Sequence, residues 1–299
     1  VIGNGAYEDV PGLPNAVTDA ALMARTLRGL GFAVIERTDA TQREMKKAIK
    51  AFGDRLAEAG SDGVGLFYYA GHGVQADGVN YLIPLGSGIA DESDLDIEAV
   101  SANAVLGKME YAGSGLNFVI LDACRNNPYA GGFRAVSRGL ARMLAPRGSL
   151  ISYATEPGGV AADGDGANSP YAIALAQAMT VPGLPVEQVF KRVRRDVLVA
   201  TASAQTTWES SSLTGDFYFV PAVEGAQEPI TAPTPSEDAA APAVDREALF
   251  WSSIQGSDNP AMFEQYLAQF PDGIFAGLAD ARLEELRSRD TETAALAPA

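Results

Sequence analysis

The stretch Leu116-Asn117-Phe118-Val119-Ile120-Leu121-Asp122-Ala123-Cys124-Arg125 decides how this chain folds and where its chemistry gathers. Leu116 to Leu121 is apolar and partly β-branched, with Asn117 its only polar residue, which reads as a buried strand. Asp122 to Arg125 ends that strand, and Asn126-Asn127-Pro128 turns the chain. The single cysteine therefore stands where a parallel strand empties into a loop, the end of an open α/β sheet at which active sites collect. The single histidine has a matching address. Val64 to Tyr69 is a second buried strand, closed by Ala70-Gly71-His72-Gly73.

Outward from these two strands, strands and helices alternate. Val1-Ile2-Gly3 reads as a strand running into a loop, and Asn15 as the N-cap of a helix from Ala16 to Leu30 that Gly31 stops. Phe32 to Ile35 is a strand, and Thr41 caps a helix to about Ala59. Val74-Gln75 and Tyr81 to Ile83 flank an Asp77-Gly78 turn, a β-hairpin. A helix runs from Ser101 to about Glu110. Beyond Cys124 come a long basic loop, a strand from Leu150 to Ala154, and a loop rich in Gly and Asp from Gly158 to Asn168. Helices at Pro170 to Met179 and Val186 to Thr201 follow, then a last strand at Phe217 to Val220. This alternation predicts an α/β fold, a mainly parallel sheet covered on both faces. Residues 1–220 form this domain. The Pro/Ala-rich segment 221–244 reads as a linker, residues 245–290 as a helical tail of three helices, and 291–299 as a disordered end.

Composition bounds the rest. The 299 residues, 47% hydrophobic, suit one sizeable α/β domain with an appendage. No run of about 18 apolar residues encodes a membrane span. One cysteine excludes an internal disulfide, and one cysteine with one histidine cannot build a tetrahedral zinc site. The net charge is −16, with 14 acidic against 4 basic side chains after position 222. A chain this acidic, with no basic stripe, is a poor nucleic-acid binder. Val1 looks like the tail of a strand already under way, so the natural N-terminus is expected upstream with any targeting signal, and the compartment stays open.

A thiolate is the working form of a nucleophilic cysteine, and an imidazole is a natural base for making it and for returning its proton to a leaving amine. Gly71 and Gly73 clear side chains from around His72, so a substrate backbone can approach. The Gly73 N–H can join that of Cys124 in holding an oxyanion.

With Tyr69-Ala70-Gly71-His72-Gly73 and, about 50 residues on, Asp122-Ala123-Cys124-Arg125, the chain resembles the caspase-like cysteine peptidases, the group that holds caspases, paracaspases, metacaspases and their bacterial relatives. The resemblance covers residues 1 to about 220. It implies a three-layer αβα sandwich around a six-stranded, mainly parallel sheet, and a Cys124/His72 dyad that hydrolyses peptide bonds. Animal caspases place Gln two residues before the cysteine; Asp122 stands there in this chain, as in metacaspases and paracaspases. Those relatives carry a second acid in the first helix region, in a segment similar to Asn15-Ala16-Val17-Thr18-Asp19. Asp19 and Asp122 are then expected to line a pocket that prefers a P1 arginine over lysine and rejects aspartate. Glu156, Asp163 and Asp165 are candidate substrate-binding residues in the loop after the Leu150 strand. Arg134, Arg138, Arg142 and Arg147 are candidate self-cleavage sites, because the family is often cut between these two strands. Some metacaspases need calcium. Here Asp91, Asp94 and Asp96 match no calcium loop and read as a solvated turn, so no cofactor is expected.

Phe250 to Ile254 and Tyr266 to Phe275 are similar to the helical-repeat tails of bacterial caspase-like proteins, which suits partner binding or homodimerisation. Two rival readings stay open: a catalytically silent scaffold that binds peptides or proteins through the cleft or tail, and a different cysteine hydrolase or acyltransferase on a similar sheet.

Overall fold

The structure, a computed structural model, describes residues 1–123, 129, 139–164, 166–222, 251, 260–271, 273 and 275–295. In chain order its first elements are β1 (Ile2–Gly3), α1 (Pro14–Gly29), β2 (Arg37–Thr38), α2 (Gln42–Ala59), β3 (Val64–Ala70), β4 (Gly73–Ala76) and β5 (Val79–Leu82). Then come α3 (Leu95–Glu98), β6 (Val100–Ser101), α4 (Ala102–Ala112), β7 (Leu116–Asp122) and β8 (Ser149–Tyr153). The series closes with α5 (Pro170–Met179), α6 (Val186–Ala200), β9 (Trp208–Ser211), α7 (Pro260–Gln269) and α8 (Ala276–Ala295).

Among the described residues the main sheet has six strands in the order β2-β1-β3-β7-β8-β9. The first five are parallel and β9 is antiparallel to β8. β3 and β7 pair from Val64↔Leu116 to Ala70↔Asp122, so the two candidate strands are neighbours and end level. Side chains alternate across the sheet. Tyr68, Phe118 and Ile120 pack in one apolar layer with α1, α5 and α6; Phe67, Tyr69, Val119 and Leu121 pack in the other with α2 and α4. The domain is thus a three-layer αβα sandwich. Chain direction reverses between β1, which leads outward to β2, and β3, which leads the other way; this is the switch point at which open α/β sheets place their sites. A smaller antiparallel sheet of β4, β5 and β6 follows β3, its hairpin turning at Asp77 (φ 47°) and Gly78 (φ 77°), the two positive φ values of a type I′ turn.

Three expected elements differ. Phe32 to Ile35 is not paired in the sheet: β1 meets β2 only at Ile2↔Arg37 and Gly3↔Thr38. Those residues line a cavity of about 200 Å³ with Phe52, Leu56 and Val64, and the Val1 amino group donates to the Ile35 carbonyl at 2.9 Å. The first helix starts at Pro14 and not after Asn15, because proline has no N–H to lose at the first helical position. The sixth strand is Trp208–Ser211 and not Phe217 to Val220. Phe217 and Phe219 lie against Phe118, ring centroids 5.2 and 5.6 Å away, as core packing outside the sheet.

The chain divides into two compact units, 1–226 and 227–299. In the second, α7 and α8 close over Phe263, Tyr266, Ala279, Leu283 and Leu286, with Trp251 stacked on Phe275 at 5.2 Å. The expected linker from 223 on, and the expected helix at 245–255 apart from Trp251, lie outside the described residues. No described helix is long and apolar enough to cross a membrane.

Candidate active site

Alternation along β7 carries Phe118, Ile120 and Asp122 to the face covered by α1 and α5, and Val119, Leu121 and Ala123 to the other. Asp122 therefore ends its strand on the side where α1 brings Asp19. Both carboxylates are fully buried. Asp122 Oδ2 accepts from the Tyr68 hydroxyl at 2.9 Å and from the Ser169 hydroxyl at 2.8 Å. Asp19 Oδ1 accepts from Asn168 Nδ2 and from the Ser169 N–H, both at 2.9 Å. Ser169 also caps α5, its oxygen accepting from the Ala172 N–H at 3.0 Å. It thereby ties the two acids to one helix start. Asp19 Oδ2 is buried without a hydrogen-bond partner among the described residues. Burial first, and then the neighbouring Asp122 charge, raise the Asp19 carboxyl from 3.8 to about 7. The two carboxylates form one buried acidic pair, whose charge a neighbouring cation would offset.

His72 follows β3 and is also buried. Its Nε2 lies 2.7 Å from the Pro11 carbonyl oxygen. A carbonyl only accepts, so Nε2 carries the proton in neutral imidazole and Nδ1 is the basic atom. Tyr7 packs its ring against the imidazole at 4.7 Å, tilted by 55°, and its hydroxyl accepts from the His72 N–H at 3.1 Å. Tyr69 donates to the His72 carbonyl at 2.8 Å. A Cβ on Gly71 would meet the Tyr69 hydroxyl at 2.6 Å and that of Tyr7 at 2.9 Å, so this turn admits only glycine. Burial holds the Tyr7 hydroxyl up at about 12, and that of Tyr69 well above its ordinary value, so both stay protonated.

The histidine loop adjoins the end of β7. The Gly71 N–H points at the Asp122 carbonyl, 3.4 Å away. A Cβ on Gly73 would lie 3.1 Å from both Ala123 Cβ and Leu140 Cδ2. The Ile83 N–H donates to the His72 carbonyl, which makes 72/83 a hydrogen-bonded rung of the hairpin. Gly73/Leu82 is then the alternate, unbonded rung, and the Gly73 N–H points away from β5.

Of the remaining candidates, Cys124, Arg134, Arg138 and Asp165 lie outside the described residues. Glu156 is exposed in the turn after β8, and its carbonyl accepts from the Gly159 N–H. Asp163 joins the Asp19 neighbourhood through its backbone, its carbonyl accepting from Asn15 at 2.7 Å. The Arg142 guanidinium sits 4.7 Å over the Trp208 ring, and Arg147 is exposed just before β8. Asp91, Asp94 and Asp96 each accept local hydrogen bonds: Asp91 from Ser93, Asp94 from the Ala90 and Asp91 N–H groups, and Asp96 from the Tyr81 hydroxyl. Sequence reading missed the Pro11 carbonyl, Tyr7, Tyr68, Asn168 and Ser169. Only Ser169, directly before Pro170 at a helix start, carried a local signal, that of a cap.

A family model described as the caspase domain matches residues 1–218. Over 125 residues the chain is 31% identical to the Homo sapiens mucosa-associated lymphoid tissue lymphoma translocation protein 1, and equally to its Mus musculus homolog. Each match takes in 42% of this chain and 14% of the relative.

Proposed function

The chain belongs to the caspase family of peptidases, and from that premise we propose that it is a cysteine endopeptidase that cuts after basic residues, arginine before lysine. His72 Nδ1 takes the Cys124 thiol proton while Nε2–H stays on the Pro11 carbonyl, which fixes the ring without needing a third side chain. The thiolate adds to the scissile carbonyl, and its oxygen takes the Gly73 and Cys124 N–H groups. Nδ1–H then protonates the departing amine, leaving a thioester. Water, deprotonated by the same nitrogen, releases the acid and restores the thiol. Asp19 and Asp122 receive the P1 guanidinium, Asp19 Oδ2 being the open acceptor. An aspartate there would be a third carboxylate beside that pair.

The observation that carries this reading is the packing of Gly73 on Ala123, which joins the histidine turn to the residue preceding the cysteine. Fluorogenic peptides differing only at P1 (Arg, Lys, Asp), with Cys124→Ala as control, test it. The expected order is Arg over Lys, with Asp uncut and the control silent. Preference for Asp removes the acidic pocket, and turnover by Cys124→Ala removes the nucleophile. Stoichiometric labelling by an arginyl chloromethylketone separates an enzyme from a silent scaffold, which would not react.

We also propose self-processing in the loop after Cys124, at Arg134, Arg138 or Arg147 in preference to Arg142. The flanks of Arg142 are tied down: Asn80 holds both the N–H and the carbonyl of Ala141 at 2.7 Å, and the Met143 N–H donates to the Tyr153 hydroxyl at 2.9 Å.

A further inference from the structure

The donors that hold Asp19 come from a loop with no regular structure of its own, so something else must keep them in place. The described part of that loop is residues 163–164 and 166–169. Its backbone is fastened to α1. Asn15 Nδ2 donates to the Asp163 carbonyl at 2.7 Å and lies 3.5 Å from that of Gly164. The Thr18 hydroxyl donates to the Ala167 carbonyl, with its own helix carbonyl, Asn15 O, as the alternative at 3.0 Å. Positions 15, 18 and 19 stand at i, i+3 and i+4, one face of the helix. The loop is also folded tightly on itself: a Cβ on Gly164 (φ 80°) would come within 3.1 Å of Pro170 Cδ and 3.3 Å of the Asn168 carbonyl.

We propose that Asn15 and Thr18 are positioning residues of the acidic pocket, which clasp this loop so that Asn168 and Ser169 stay on Asp19 and keep its carboxylate available to a basic P1 side chain. The selectivity this confers rests on the function proposed above; the clasp itself does not. The side chains of Asn15 and Thr18 donate to backbone carbonyls and bring no charge to the acidic pair. Two hydrogen bonds to Asp19 Oδ1 favour its ionised form against burial and against Asp122. Releasing the loop removes both and raises the carboxyl further. The other titratable groups around it are Asp122 on β7 and Tyr68 on β3, with Tyr171 of α5 next to Tyr68. Asp163 lies on the clasped loop itself and meets α1 through its carbonyl; the clasp acts on Asp19 through the hydrogen bonds of Asn168 and Ser169.

The test is a carbon-13 NMR titration of the Asp19 side chain in the full Cys124→Ala chain, with the resonance assigned by its loss in Asp19→Asn. Asn15→Ala and Thr18→Val should each raise the Asp19 midpoint by roughly half a unit or more, the size expected for one lost hydrogen bond, and Thr18→Ser should restore it. Binding of Nα-acetyl-argininamide should weaken about two- to threefold near pH 6.5 and converge with the parent chain near pH 8.5. A midpoint unmoved in both variants overturns the clasp. No saturable binding of the arginine probe to the parent chain overturns the basic-P1 reading, while the titration still decides the clasp.

Discussion

His72 is held by its ring on Tyr7, by its N–H on the Tyr7 hydroxyl and by its Nε2 on the Pro11 carbonyl. Tyr7→Phe keeps the ring contact and deletes the acceptor, leaving a buried N–H unpaired at a cost of about 1–3 kcal/mol. We expect kcat on a P1 arginine peptide to fall about tenfold with KM near its parent value, since the acidic pair is untouched. A rise in KM alone would show that Tyr7 serves substrate and not the imidazole. Asp19 makes a second prediction, on stability. Its carboxyl titrates near 7 in the folded protein and near 3.8 when exposed, so the folded state binds its proton more tightly. Stability should therefore fall as pH climbs from about 4 to about 7 and level off above. Urea unfolding of Cys124→Ala and of Cys124→Ala/Asp19→Asn across that range measures this. The difference between the two should shrink or reverse in the direction that favours the asparagine variant as pH rises, and a difference growing the other way would refute the shift.

Elements place these residues by simple periodicities. The two-residue repeat of β7 sends Asp122 to α1 and Ala123 to the histidine turn, and the helical spacing of α1 puts Asn15, Thr18 and Asp19 on one face. A close approach supports this: a Cβ on Gly3 of β1 would lie 2.4 Å from the Ala16 carbonyl, so α1 crosses its strand at backbone distance. The segment before β8 is held by elements too, through Asn80 on β5 and Trp208 on β9. Arg142→Ala should accordingly leave the pattern of self-cleavage fragments unchanged on a denaturing gel; loss of a fragment in that variant would show that the Asn80 anchor opens.

On the scale of the whole molecule, the two units have separate apolar cores. A chain ended at residue 222 should keep kcat/KM on a P1 arginine peptide within about twofold and unfold at the same temperature. The excised segment 245–299 should be marginal, because so short a helical unit buries little surface. A truncated chain that folds but loses its activity would assign the tail a role in catalysis.

The sequence by itself determined the layered α/β fold, the two apolar strands and the turn that carries His72, because alternation and glycine-bounded turns are local properties. It also marked Asp122 at a strand end and Asp19 on the first helix. Where the pattern was ambiguous it misled: Phe217 and Phe219 are apolar enough for a strand yet serve as packing, and the true edge strand, Trp208–Ser211, is too polar to announce itself. Only the tertiary structure decided what surrounds the candidate groups. The Pro11 carbonyl is a backbone atom that every residue has, so nothing in the sequence singles it out. The Ser169 N–H meets Asp19 across 150 positions of chain, a contact set by how α1 and α5 pack on one face of the sheet and by no feature of either segment alone.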